Sequence, residues 1–198
     1  MMRPMIDAAS LDLLFRNARS HSAWQRREVP DTLLREMFDL ARLGPTSANC
    51  SPARYVFVRT TEGKERLRPA LSRGNVEKTM TAPVTVLVGY DTRFYEAMPF
   101  LFPHEPSAAK WFTSDEDLAR ETALRNASLQ GAYLIMAARA LGLDTGPLSG
   151  FDAAKVEAEF FPDARVKCNF LCNLGYGDAS RVFPRLPRFS FEQACSLA

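Results

Sequence analysis

Five short polar clusters in the chain carry side chains suited to binding a ligand. Arg19-Ser20-His21 and Arg185-Leu186-Pro187-Arg188 supply guanidinium groups, which suit an anion because their planar N–H fork matches its oxygens. Pro45-Thr46-Ser47-Ala48-Asn49, after Gly44, offers hydroxyls and an amide that both donate and accept. Asn75-Val76-Glu77-Lys78 places an ammonium three residues after an amide, and Gly146-Pro147-Leu148-Ser149-Gly150 exposes backbone that a glycine lets a ligand approach. Taken singly, each has a plainer reading: a helix stop and turn, an exposed helical turn, a solvated tail, or a capping or surface histidine. There is no G-x-G-x-x-G after a strand, no P-loop, no G-x-S-x-G and no evident pair of carboxylates for acid–base hydrolysis.

The thiols point away from metal chemistry. Cys50, Cys168, Cys172 and Cys195 form no C-x-x-C, and His21 and His104 are the only histidines, so no metal site is expected. Cys168 and Cys172, four apart in a predicted strand, should share a face about 13 Å apart, too far for a disulfide. They read as buried thiols of a reducing compartment. Cys50 follows Asn49 and would be reactive only if its pKa were low.

These clusters need rigid elements on either side. A first helix is predicted over Asp7–Arg19 with Leu11, Leu14, Phe15 and Ala18 as its apolar stripe. A second begins at Asp31 as its cap, uses Leu34, Met37, Phe38 and Ala41, and stops at Gly44-Pro45. Strands are predicted at Tyr55–Val58, over Val84–Tyr90 and over Val166–Tyr176, with a polar helix over Thr61–Ser72 and a helix over Asp152–Phe161. Phe94–Phe112, rich in proline and aromatics, reads as a long loop or broken helix. The longest helix should run from about Ser114 to Gly142. Its second half is apolar nearly all round, which demands burial on every side, in a large core or a subunit interface. Asp144–Phe151 reads as a loop. The pattern is α+β: one small sheet wrapped by helices, in one domain over residues 1–198.

Composition excludes several classes. With 46% hydrophobic and 24% charged residues in 198, the chain is neither disordered nor fibrous. Its net charge of +2 is too balanced for a protein built to grip nucleic acid, and no apolar run reaches the length needed to cross a bilayer. The opening MMRPMIDAAS lacks a signal-peptide core, so the chain reads as cytoplasmic.

In order and separation, the five clusters resemble the flavin-binding positions of the nitroreductase family, over nearly the whole chain. The family's P-[ST]-S-x-N turn is similar to Pro45, Thr46, Ser47 and Asn49; its N-x-x-K pair to Asn75 and Lys78; its P-x-x-G-F loop to Pro147, Leu148, Ser149, Gly150 and Phe151; its tail to Gly175-Tyr176 with Arg185 and Arg188. The resemblance implies a nitroreductase-like α+β fold, with a small mixed, mostly antiparallel sheet wrapped by helices and the long central helix in a dimer interface, FMN as cofactor and NADH or NADPH as reductant. Arg19, Ser20 and the tail arginines would hold the phosphate, Asn75 and Lys78 the pyrimidine side and ribityl, and the Pro147–Gly150 backbone the N5 edge. The serine turn would reach the flavin of the other subunit, so a homodimer follows. Hydride would pass by a ping-pong route with no catalytic side chain, because the flavin carries the redox chemistry.

Within the family, the segments LGPTSANCSPARYVFV, LSRGNVEKTMTAPVT, LFPHEPSAAKWFTS, LGLDTGPLSGFD and LGYGDASRVFPRLPR are most similar to malonic semialdehyde reductases of pyrimidine degradation, the Rut pathway. That subgroup implies reduction of 3-oxopropanoate to 3-hydroxypropanoate, with Phe102 in a lid and His104, Arg54 or Lys110 toward the substrate carboxylate. A broad nitroaromatic or quinone reductase and a non-catalytic flavin-binding module are the alternatives. Two departures stand out. The family's second N-terminal basic residue is replaced near Ser22 or Ala23, with His21 expected to substitute for it, and Ser51-Pro52-Ala53 stands where Gln-Pro-Trp is usual.

Overall fold

The computed structural model describes residues 5–198; residues 1–4, part of the segment read for a signal peptide, lie outside it. Four strands, β1 (Ala53–Val58), β2 (Val84–Asp91), β3 (Asp144–Leu148) and β4 (Val166–Gly175), form one sheet in the order β1-β2-β4-β3. All three ladders are antiparallel, and a single parallel bridge, Ser20 to Thr145, adds to its edge. The helices are α1 (Ala8–Leu11), α2 (Asp31–Ala41), α3 (Thr61–Leu67), α4 (Arg73–Met80), α5 (Met98–Leu101), α6 (Lys110–Thr113), α7 (Glu116–Ala140), α8 (Ala153–Phe160) and α9 (Phe191–Ala194).

β2 is buried along nearly its whole length because helices cover both sheet faces. On one face Val84, Val86, Val88, Cys172 and Leu174 pack against Leu34, Met37 and Ala41 of α2 and Leu134, Ala137 and Ala138 of α7. On the other, Leu87, Leu171 and Cys168 meet Leu67 and Ala70 beside α3, and Val156 and Phe161 around α8. Gly131 lets α7 come close: a Cβ there would stand 2.6 Å from the Phe170 ring. A third cluster, with Phe94, Met98 and Phe112 at its centre, lies under the aromatic segment.

Several expectations are corrected. Asp31 does not cap α2; it is the first helical residue after Pro30, and its carboxylate pairs with Arg59. The first helix is shorter than predicted and ends in a π-helical turn over Asp12–Arg16, with Asp7 accepting from the Ser10 N–H at its start. Phe38 faces outward, 40% exposed. Asp144–Leu148 is a strand rather than a loop; it tolerates Pro147 because it lies at the sheet edge, where a missing N–H costs no ladder bond. Cys168 and Cys172 do not share a face. Gly89 pairs with Cys168 while Val88 pairs with Phe170, so a bulge at Asn169 shifts the alternation and sends the two thiols into opposite cores.

The long helix begins at Glu116 with Asp115 accepting from the Leu118 N–H. Its second half is not buried on every side within the chain, since Tyr133 is 44% exposed, and Leu124 and Leu129 before it are 42% and 47% exposed. The aromatic segment is a broken helix, interrupted at Phe102 between α5 and α6. No helix among the described residues is long and apolar enough to cross a membrane.

Between α3, α4 and the sheet lies a buried polar network. Lys64 Nζ donates to the Thr79 carbonyl at 2.8 Å and to Thr85 Oγ1 at 2.5 Å, and Thr85 Oγ1 donates to Asn173 Oδ1 at 2.7 Å. Burial disfavours the ammonium and pushes its pKa from 10.5 down to about 7. Between those two values the unfolded chain binds a proton that the folded chain has released, so stability from this group rises with pH across that window. The Tm of the wild type minus that of Lys64→Met is therefore expected to increase from pH 7 to pH 10; thermal unfolding at matched salt measures it, and a constant difference would contradict it.

Candidate functional site

Three of the five clusters meet at the β3 edge. Ser20 bridges Thr145, and the His21 N–H donates to the Thr145 carbonyl at 2.9 Å. This close seam needs Gly146, where a Cβ would lie 2.3 Å from the His21 carbonyl oxygen. Trp24 Nε1 then donates to the Lys78 carbonyl at 2.9 Å, joining the N-terminal cluster to α4. At the other end of α4, Asn75 Nδ2 donates to the Gly150 carbonyl at 2.7 Å, and the Ser72 N–H donates to the same oxygen at 3.1 Å. Arg19-Ser20-His21, Asn75 with Lys78, and Pro147–Gly150 thus form one connected surface. Asn75 keeps its Oδ1 as an acceptor.

His21 itself is buried. Its Nε2 lies 3.3 Å from Asp144 Oδ1, and its ring fills the space that Gly177 leaves, where a Cβ would be 2.0 Å from Nδ1. That Nδ1 has no hydrogen-bond partner among the described residues.

Next to this surface, the tail crosses the end of the first helical segment and encloses a cavity of about 370 Å³. Arg19, Arg185, Arg188 and Ser20 line it together with Arg139 from the last turn of α7, and none of the lining residues is acidic. All four arginines are oriented by carbonyls: Arg19 Nη2 donates to Phe183, Arg185 Nη2 to Arg16 at 2.6 Å and Ala18 at 3.0 Å, Arg188 Nη1 to Leu186 and Pro187, both at 3.0 Å, and Arg139 Nη1 to Leu14 at 3.1 Å. Carbonyls position a guanidinium without neutralising it. Four cations around a cavity without a carboxylate form a site for a multiply charged anion such as a phosphate monoester.

The serine turn lies elsewhere. The Ser47 N–H donates to Asn126 Oδ1 at 2.8 Å and the Ala53 N–H to Gln130 Oε1 at 2.9 Å, which fixes the turn to the middle of α7. Asn126 and Arg139 are thirteen residues apart on one helix, or about 20 Å. Ala48, Asn49 and Ser51 all have positive φ (47°, 50° and 37°), a strained course held by these bonds and by the Ser51 N–H donating to Thr46 Oγ1. Asn49 Nδ2 donates to the Leu101 carbonyl at 2.7 Å, so the turn abuts the aromatic segment. Within one chain, then, Pro45, Thr46, Ser47 and Asn49 are not brought to the other clusters.

Of the candidates around the aromatic segment, Phe102 and His104 have ring centroids 3.9 Å apart, with Trp111 at 6.4 Å from Phe102. His104 and Lys110 are exposed. Arg54 is engaged: its Nη2 pairs with Asp91 Oδ2 at 2.8 Å, and its Nη1 donates to the Ser51 and Ala53 carbonyls. Arg165 grips the same buried carboxylate through two N–H groups. Cys50 is fully buried, and burial pushes its thiol up to about 11, which keeps it protonated at neutral pH. Among the described residues no cluster of His, Cys, Asp and Glu is suited to a metal ion.

Trp24, Asn126, Gln130 and Arg139 escaped the sequence reading. Their signals are present: amides four residues apart on one buried helix face, and a lone cation within the apolar run that ends α7.

The family model described as "Nitroreductase family" matches residues 15–176. The chain belongs to the nitroreductase family. A Cupriavidus pinatubonensis protein, provisionally named an NADH dehydrogenase/NAD(P)H nitroreductase, is 60% identical over 190 residues, covering 95% of this chain and 97% of that one. Solved nitroreductase structures share the fold. A provisionally named nitroreductase from Bacillus subtilis superposes with a TM-score of 0.86 at 24% identity, covering 97% of this chain and 100% of that one. One from Exiguobacterium sibiricum, in complex with FMN, has a TM-score of 0.86 at 17% identity, with both chains fully covered.

The anchoring of the serine turn is testable by stability. Gln130→Leu removes the acceptor of the buried Ala53 N–H at the start of β1, which is expected to cost about 1–3 kcal/mol in urea unfolding. A variant as stable as the wild type would show that the bond does not hold the turn.

Proposed function

We propose that the chain is an FMN-dependent oxidoreductase that takes its electrons from NADH or NADPH. The observation that carries this reading is the four-arginine cavity, free of lining carboxylates, joined through Ser20, His21 and Trp24 to Asn75, Lys78 and Gly150. Bound FMN would supply hydride acceptance and donation, which no set of side chains here provides. Arg19, Arg185 and Arg188 would hold its phosphate by charge-assisted bonds, with Ser20 as a neutral donor. Asn75, its Nδ2 committed to Gly150, would accept from a ring N–H through Oδ1, and Lys78 would stabilise negative charge on the pyrimidine side. The backbone of Pro147, Leu148, Ser149 and Gly150 would line the remaining edge.

The functional unit is a homodimer in this reading. Leu124, Leu129 and Tyr133 on α7 and Phe38 and Leu40 on α2 are large apolar side chains left exposed within one chain, and burying them against a second copy would be favourable. A second copy would bury it and bring its serine turn, stranded about 20 Å from Arg139 within one chain, toward the partner's site. Sedimentation at micromolar protein is expected to give a stable dimer, and a flavin-loaded monomer would refute this.

For the acceptor, the resemblance favours 3-oxopropanoate over nitroaromatics or quinones. Support comes from His104, exposed beside the Phe102 ring, and from Lys110, exposed in the same aromatic segment; Arg54 is already held by Asp91. Purified protein is expected to be yellow, to bleach with NADH or NADPH, and to recolour faster with 3-oxopropanoate than with a nitroaromatic or quinone. The opposite ranking would make it a broad nitroreductase, and colour without bleaching would make it a flavin-binding module.

A further inference from the structure

His21, the residue expected to complete the basic set near the N-terminus, does not line the arginine cavity; its Nε2 faces Asp144 behind the seam. The fourth cation there comes from the far end of the long helix. Arg139 Nη1 donates to the Leu14 carbonyl at 3.1 Å, which fixes the plane of the guanidinium against the first helical segment. Its Nε is buried with no acceptor among the described residues. A buried N–H on a cation that lacks an acceptor is costly, and a ligand oxygen within reach would remove that cost.

Nearby charges do not satisfy it. Asp144 lines a smaller adjoining hollow with Arg19 and Arg139, but that carboxylate is engaged by His21 Nε2 and accepts from the Gly177 N–H at 2.8 Å. Met136 Sδ, at 3.9 Å from Nη1, is a weak acceptor. Burial disfavours the charged form of Arg139, a cost that an anion in the cavity would offset. Unlike Arg185 and Arg188, which lie in the irregular tail, Arg139 projects from a 25-residue helix packed on the sheet and needs no ordering to meet a ligand.

We infer that Arg139 is a fourth phosphate-binding residue of the flavin site, donating through Nε to the phosphate that Arg19, Arg185 and Arg188 surround. The inference rests on the FMN reading above.

FMN and riboflavin share ring and ribityl chain and differ only in the phosphate, so titrating flavin-free protein with each, by fluorescence quenching, separates a phosphate contact from a structural tether. Arg139→Gln is expected to weaken FMN about 10-fold while leaving riboflavin within about twofold of the wild type. Equal weakening of both flavins would make Arg139 only the tether of Leu14, and no change in either would also overturn the proposal. A second measurement uses unaltered protein. The Nε–H proton of Arg139, assigned by its absence from Arg139→Lys, should move downfield in the NMR spectrum on adding FMN and not on adding riboflavin. Indifference to the phosphate would overturn the proposal even if Arg139→Gln failed to fold. Arg188→Ala in the same titrations guards the underlying reading. If the wild type shows no preference for FMN over riboflavin, the FMN reading itself fails. If Arg188→Ala loses the preference while Arg139→Gln keeps it, only Arg139 is removed from the site.

Discussion

The carbonyl oxygen of Lys78 accepts from Trp24 Nε1 and from Asn173 Nδ2, and the geometry of the candidate site depends on this shared acceptor. It lies in the last turn of α4, where a carbonyl has no partner within the helix and must find one outside. Trp24 brings the N-terminal segment to it, and Asn173 brings the C-terminal part of β4. Lys64 and Thr85 continue the chain of bonds on the sheet side. Because each member is buried or nearly so, an unmet bond would carry its full desolvation cost, and the network settles into one arrangement rather than several. That arrangement fixes the height of α4 over the sheet, and with it the reach of Asn75 and Lys78.

The same logic operates at a second point. The middle of α7 is lined with small residues that let it lie close to the sheet, yet two amides interrupt the pattern. Asn126 and Gln130 accept from backbone N–H groups of the serine turn and of β1, which have no ladder partner at those positions. Three residues of positive φ persist in that turn because a rigid helix supplies the acceptors. Strain and satisfaction are thus placed side by side.

Much of this was legible in the sequence. Leu34, Met37 and Ala41 recur at helical spacing and are buried, because a helix packing one face has no other way to arrange them. The apolar VTVLV run is the central strand expected of it. The short polar clusters did mark the β3 edge, since Arg19, Asn75 and Gly150 lie where loops meet rigid elements. Other features were hidden for physical reasons. Pro147 reads as a loop residue unless the strand is known to be an edge, and edge position is a property of the whole sheet. The bulge at Asn169 leaves no mark in KCNFLC, because apolar residues on both faces conceal a change of phase. Arg139 is a lone cation within an apolar helical run, and only the fold brings the tail and Leu14 against it.

The seam at β3 also governs how the molecule meets its neighbours in a crowded solution. An open sheet edge is a template on which another chain can add a strand, the first step toward β-aggregation. Here the Thr145 carbonyl already accepts from His21, Ser20 occupies the adjoining bridge, and residue 147 is a proline with no N–H to give. A foreign strand would find the hydrogen-bonding pattern broken at consecutive positions. The residues that bring the first cluster to the candidate site therefore also end the sheet, making its edge a poor seed for templated misassembly.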